Sequence, residues 1–280
     1  SESLQQEAGV LRAVQSTRAS GLDSVPRVVA FERLGGHPML LETAIPGIHM
    51  KPGVVRRDPD GCIALALDWL VALRQLAPTP ADEGWYERLV TRPLDDFAHA
   101  FPLEEAERRL LDETAALIES LRAVVLHLSV EHGDLSHPNL LIRPQGGLGV
   151  VDWELAQVDG LGASDLFFFL SYVAFSRENA NQTGQFEAAF QRAFFGRDAW
   201  AVPHVLAYAA RTGLPRDQLA PLFILTWARY TTRLVQRLQA GEDGPAPVGA
   251  DLAAFLRANR YYALWRHSLA HADQLGWLLT

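Results

Sequence analysis

The sequence predicts an α+β fold in which a short stretch built on an antiparallel hairpin is followed by a longer, mostly helical remainder. Three observations predict it. Two extended apolar segments, residues 25–33 and 39–45, flank Gly35-Gly36, a pair suited to a tight hairpin turn. Beyond Pro46-Gly47 apolar residues recur at three and four, the spacing of a helix with one buried face. Within that helical region a second pair of short apolar segments, 139–143 and 148–153, brackets the turn-forming Pro144-Gln145-Gly146-Gly147.

The elements follow in order. Leu4, Ala8, Leu11 and Val14 fall at helical spacing, with Gly21 placed to stop the helix. The first hairpin ends at Pro46-Gly47, the one linker candidate. Residues 63–76 and 104–128 read as amphipathic helices, and helical pattern resumes from Leu166, punctuated by Pro203, Pro215 and the stretch 241–249. The aromatic stripe at 166–175 reads as core packing. The sequence contains no internal repeat or low-complexity tract.

Composition narrows the class of protein. With 49% hydrophobic residues in 280, the chain can bury a sizeable core and is not of disordered type. The longest uncharged apolar run, 166–176, is well short of the roughly 20 residues that span a bilayer, and no basic-then-apolar leader opens the chain. A membrane span is therefore excluded and secretion disfavoured. One cysteine, Cys62, allows neither an internal disulfide nor a thiolate metal cluster; it reads as a small hydrophobe and suits a reducing, cytoplasmic setting. The net charge of −8 disfavours nucleic acid as a partner. Lys51 is the only lysine, so a phosphate-anchoring lysine has almost nowhere to come from. The chain opens at Ser1 directly into a helical pattern, which leaves open that it is the remainder of a longer protein.

Around the inner hairpin, polar residues interrupt apolar sequence: His132-Gly133-Asp134 before the first strand, Asn139 entering it, and Asp152 with Glu154 leaving the second. In an antiparallel pair the start of one strand lies beside the end of the other, so Asp134, Asn139 and Asp152 are expected to converge. Asn139 and Asp152 offer two oxygen ligands, a set that suits Mg2+ completed by phosphate and water. Asp134 is then free to orient a hydroxyl. Each residue also has a plainer reading, since Asp134 and Asp152 suit turns or caps and Asn139 is a turn former. The spacing of all three together favours chemistry.

The run His-Gly-Asp-Leu-Ser-His-Pro-Asn at 132–139, followed by Val-Asp-Trp-Glu at 151–154, resembles the paired signature of the aminoglycoside phosphotransferase and choline kinase-like families, which share the protein-kinase-like fold. The resemblance covers the chain to about Leu170 and implies two lobes: residues 1–46 as a partial N-lobe, reduced or truncated, and 47–280 as a helical C-lobe. It implies Asp134 as catalytic base and Asn139 and Asp152 as ligands of Mg2+. The first helix, with Glu7, is similar to the helix that positions the nucleotide lysine. Residues 39–44 look like the hinge, where the backbone of Glu42 and Ala44 would meet the adenine of ATP, or the base of GTP. His132 is expected to brace the loop, Asp165 to steady it, and Glu154 to hold metal, touch the acceptor or stand in solvent. The chain departs from the family in lacking a Gly-rich hairpin and strand lysine ahead of Glu7, and Lys51, beyond the hinge, cannot supply the latter.

The function so implied is transfer of a γ-phosphoryl group to the hydroxyl of a small molecule of the aminoglycoside, sugar or amino-alcohol class. The alternative is a non-catalytic kinase-like binding or regulatory module; a metal-dependent hydrolase ranks last, for want of a His-rich ligand set. His37, His49, His127 and His137 lack metal-ligand spacing and read as surface or satisfied core residues. Acidic residues such as Asp95, Asp96, Glu104, Glu105 and Glu178 suit either a cationic acceptor or solvated helix faces. Trp200, Trp227, Tyr230 and Trp265 suit stacking on a ligand or core packing, with core packing favoured. Oligomeric state is left open.

Overall fold

The computed structural model describes residues 2–16, 23–76, 79–100, 103–240 and 250–280. The expected stop at Gly21 and the stretch 241–249 lie outside them. Contacts divide the chain into two compact units: Ser1–Thr79, His127–Gly184 and Ala207–Gly213 in the first, Pro80–Leu126, Gln185–Leu206 and Leu214–Thr280 in the second.

In the first unit α1 (Glu2–Ser16) buries Ala8, Val10, Leu11 and Val14 and packs on a hairpin of β1 (Val28–Leu34) and β2 (His37–Glu42). The hairpin is antiparallel, with Leu34 opposite His37 and Val28 opposite Glu42, and Gly35 and Gly36 turn it at positive φ. After Pro46-Gly47 a two-residue strand, β3 (Ile48–His49), leads into α2 (Pro52–Arg57) and α3 (Pro59–Gln75). Asp58 caps α3 by accepting the Gly61 N–H at 2.9 Å, and Pro59 supplies a first-turn residue that has no N–H to satisfy.

The inner hairpin is β5 (Leu140–Ile142) with β6 (Leu148–Val150), and β3 adds to it so that His49 faces Leu141. It is preceded by β4 (His127–Glu131), paired antiparallel with β7 (Gln157–Gly160). The helix expected over 104–128 therefore ends early: it spans Glu105–Ile118, and Leu128 belongs to β4. Burial explains the difference, because Leu128 to Glu131 are all buried, and a strand closed in on both faces is continuous in burial rather than alternating.

α4 (Ala163–Arg177) is buried at every position from Ala163 to Ser176, so the aromatic stripe is core. It packs against α2 and α3, and the Tyr172 hydroxyl donates to the Met50 carbonyl. Each buried Phe of the stripe removes enough apolar surface to contribute roughly 1.5–3 kcal/mol.

The second unit is helical. Glu105–Ile118 starts with a reciprocal capping box between Glu104 and Glu107. Buried Glu107 also accepts from Arg257 Nε at 2.8 Å, and Trp265 Nε1 donates to Thr114 at 2.9 Å. Phe190, Phe194, Phe223, Trp227 and Trp277 form one aromatic cluster, with Phe190 and Phe223 stacked at 5.5 Å. Trp227 and Trp265 are fully buried, so both are core side chains. Pro203 lies in the first turn of the helix Val202–Thr212, and Pro215 precedes the short helix Arg216–Gln218. Among the described residues no helix is long and apolar enough to cross a membrane.

Candidate active site

The loop 132–139 connects β4 to β5 and is held from below. Asp165, in the first turn of α4, accepts the backbone N–H of His132 at 2.7 Å and of Gly133 at 2.9 Å through its two oxygens. His132 is fully buried. The Asp134 N–H can only donate, so His132 Nδ1, 3.3 Å away, accepts, and Nε2–H donates to the Val151 carbonyl at 3.1 Å. Both ring nitrogens are thereby used in the neutral form, and burial pushes the imidazole down to about 4. His132 thus ties the loop to the strand end that carries Asp152. Trp153 packs edge-on against the same ring at 4.9 Å.

Asp134 is fixed at both carboxylate oxygens. Ser136 Oγ donates to Oδ1 at 2.9 Å, and Asn139 Nδ2 donates to Oδ2 at 3.1 Å and to the Asp134 carbonyl at 3.1 Å. The Asn139 amide nitrogen being spent on Asp134, its Oδ1 is the atom available to a cation. The Val151 N–H donates to the Asn139 carbonyl at 3.0 Å, which sets Asp152 beside the loop across the hairpin. Asp152 is exposed and adopts φ 68°, a left-handed conformation unusual for a residue other than glycine.

Glu7 and Glu42 come to the same place. Glu7 Oε1 accepts the Trp153 N–H at 3.0 Å; burial, Asp152 and Glu154 raise its pKa against that bond. Burial, then Glu7 and Asp152, push the Glu42 carboxyl up to about 7, and its Oε1 is a buried acceptor with no donor among the described residues. The sequence points only to the backbone of Glu42; its side chain, near enough to Glu7 and Asp152 to feel their charge, is placed by the facing of the strand, which spacing does not reveal. Ala44 is exposed just beyond β2.

Two further features escaped the sequence reading. Ser136 had a local signal, standing two residues after an aspartate, where a hydroxyl can reach back. His49 had none: its Nδ1 bonds the Pro138 carbonyl at 2.8 Å through a pairing of segments 89 residues apart. Its ring meets His137 edge-on at 5.8 Å, and burial, His49 and Lys51 all hold His137 below the ordinary imidazole value. Among the described residues no three His, Cys, Asp or Glu side chains are arranged to hold a metal by themselves.

A short loop pinned by a buried aspartate, an Asp–Asn pair five residues apart and a second aspartate across a hairpin define the class: a protein-kinase-like phosphotransferase fold. The model of the phosphotransferase enzyme family known as APH matches residues 1–203, and the chain belongs to that family. No curated protein matches it in sequence. Among solved structures it is similar to a choline/ethanolamine kinase family protein from Mesorhizobium loti, at 19% identity over 96% of this chain and 84% of that one, with a TM-score of 0.59. The choline kinase LicA from Streptococcus pneumoniae gives 16% identity over 95% and 80%, with a TM-score of 0.59. A thermostable mutant of the aminoglycoside phosphotransferase APH(4)-Ia gives 14% over 94% and 82%, at 0.55. At such identities the likeness shows the fold alone; the family supplies the class, a phosphotransferase.

Proposed function

We propose that this chain transfers the γ-phosphoryl group of ATP or GTP to a hydroxyl of a small molecule of the aminoglycoside, sugar or amino-alcohol class. The observation that carries this reading is the state of Asp134, whose carboxylate is oriented by Ser136 and Asn139 on a loop that Asp165 holds. The acceptor hydroxyl gives its proton to Asp134 while its oxygen bonds to the γ-phosphorus. The bond from that phosphorus to the bridging oxygen breaks, and the nucleoside diphosphate leaves. Positioning supplies much of the acceleration. The backbone of Glu42 and Ala44 would meet the base edge, and Glu7 would lie on the helix that in the family positions the nucleotide lysine.

Asn139 Oδ1 and Asp152 would hold Mg2+, which when bound neutralises charge on the phosphates. The residues fit it: Glu7, Glu42 and Asp152 crowd negative charge together, enough to raise the first two, and a two-ligand oxygen set leaves the remaining positions to phosphate and water. In their structures LicA is bound to AMP, and APH(4)-Ia to AMP-PNP with hygromycin B, which supports nucleotide as donor and a hydroxylated small molecule as acceptor.

One observation favours the second reading, a non-catalytic kinase-like module: Glu7 accepts the Trp153 N–H, and among the described residues no Lys or Arg side chain bonds it. Asp134→Asn separates the two. Phosphoryl transfer, followed as nucleoside diphosphate release across aminoglycosides, amino alcohols and monosaccharides, should fall about 10³-fold while calorimetry shows Mg·ATP affinity within about twofold of the parent. Equal rates in parent and variant would remove Asp134 from the chemistry. Mg·ATP binding without turnover on any acceptor would favour the binding module.

A further inference from the structure

The one lysine of the chain stands at the candidate active site. β3 is stitched to the strand that leaves the loop, where the Met50 N–H donates to the Leu140 carbonyl at 2.9 Å, and the chain then turns at Lys51, whose N–H donates back to the His49 carbonyl at 2.8 Å. His49 reaches from β3 to the Pro138 carbonyl, fixing this strand end against the loop itself. Lys51 is exposed and has no ion-pair partner among the described residues. His137, half-buried, stands one residue beyond Ser136, the residue that holds Asp134, and its ring meets edge-on, at 5.8 Å, that of His49, two residues before Lys51. Carboxylates make up much of the rest of the site: Asp134, Asp152 and Glu154, with Glu7 and Glu42 beside them. A basic corner beside a loop otherwise surrounded by carboxylates has a use if the molecule entering there carries negative charge of its own.

We propose that Lys51, with a ring N–H of His137, forms a subsite for an anionic group, carboxylate or phosphate, on the acceptor whose hydroxyl Asp134 receives. The proposal rests on the phosphotransferase reading and narrows its substrate class to anionic or zwitterionic alcohols. Lys51 supplies the charge, His137 a directional donor, and His49 holds the strand end that positions both. An ammonium bonded to a carboxylate or phosphate oxygen is a charge-assisted pair, stronger than its neutral counterpart.

The single lysine makes the test direct. Reductive 13C-methylation labels Lys51 as the only ε-amino group, beside the α-amino terminus, and keeps its charge. The labelled full chain is titrated with Mg·AMP-PNP alone, and then in its presence with glycerol, glycerate and glycerol 3-phosphate. The expected result is a saturable shift of the Lys51 signal with at least one of the two anionic alcohols and none with glycerol. Lys51→Gln should weaken binding of that anionic alcohol roughly tenfold by calorimetry. A shift with Mg·AMP-PNP alone and none beyond it would assign Lys51 to the nucleotide and overturn the subsite. No shift with any probe, while calorimetry still records Mg·AMP-PNP binding, overturns the subsite and leaves the phosphotransferase reading standing. Absence of nucleotide binding overturns both.

Discussion

Asp165 turns two buried backbone N–H groups into a fixed loop, and its removal leaves both without an acceptor. Each such group costs about 1–3 kcal/mol, so Asp165→Ala should lose about 3 kcal/mol of stability in urea unfolding. His132 is the next check. Its folded pKa of about 4 lies below the roughly 6.5 of an unfolded histidine, so its contribution is complete above pH 6.5 and is lost as pH falls toward 4. Across that window it amounts to about 3 kcal/mol. Nitrogen NMR at pH 5.5 should find the ring neutral and protonated at Nε2; an imidazolium there would contradict the hydrogen bonds described. Glu42 runs the other way. Its carboxyl, raised to about 7, favours the folded state below the unfolded value and loses that advantage as pH rises through 7. Glu42→Gln should therefore be more stable than the parent at pH 8, with the gap closing by pH 5 in thermal melts. At this scale sequence spacing was informative: Asp134, Asn139, Asp152, His132 and Asp165 all carry a recognisable pattern. The Glu42 side chain and the Lys51 corner were not legible, since both depend on how distant strands face one another.

At the scale of elements, helical periodicity and Gly-Gly turns were enough to find α1, α3, α4 and both hairpins to within a few residues. β4 and β7 were missed. β4 is buried along nearly its whole length and so lacks alternation, while β7, Gln157–Gly160, is short and carries an aspartate. What makes this pair close is Gly160. A Cβ there would run into the Glu131 side chain, whose Oε2 accepts the Leu161 N–H at 2.8 Å. Gly160→Ala should cost about 2 kcal/mol by overpacking, and hydrogen exchange should show the loss first in β4 and β7. An alanine tolerated at no cost would mean that the two strands are not held as described.

For the whole molecule the cleanest readout of the proposed function is linkage. A ligand that binds only the folded state at 100 times its Kd adds about 2.7 kcal/mol, which for a chain of this size raises the melting temperature by roughly 5 °C. Mg·ATP should do this and ATP with chelator should do less; in Asp152→Asn the two should converge. The division into units has a consequence of another kind. The first unit is assembled from three separated pieces, the last being Ala207–Gly213, which brings buried Tyr208 up to Arg74. Arg74 in turn donates to Ser129 on the strand that enters the loop. A ribosome delivers the chain from its N-terminus, so the loop, its aspartate tether and both hairpins are synthesised before the side chain that completes the packing beneath them. The nascent site must wait, through more than twenty further residues beyond Gly184, for its foundation to be made.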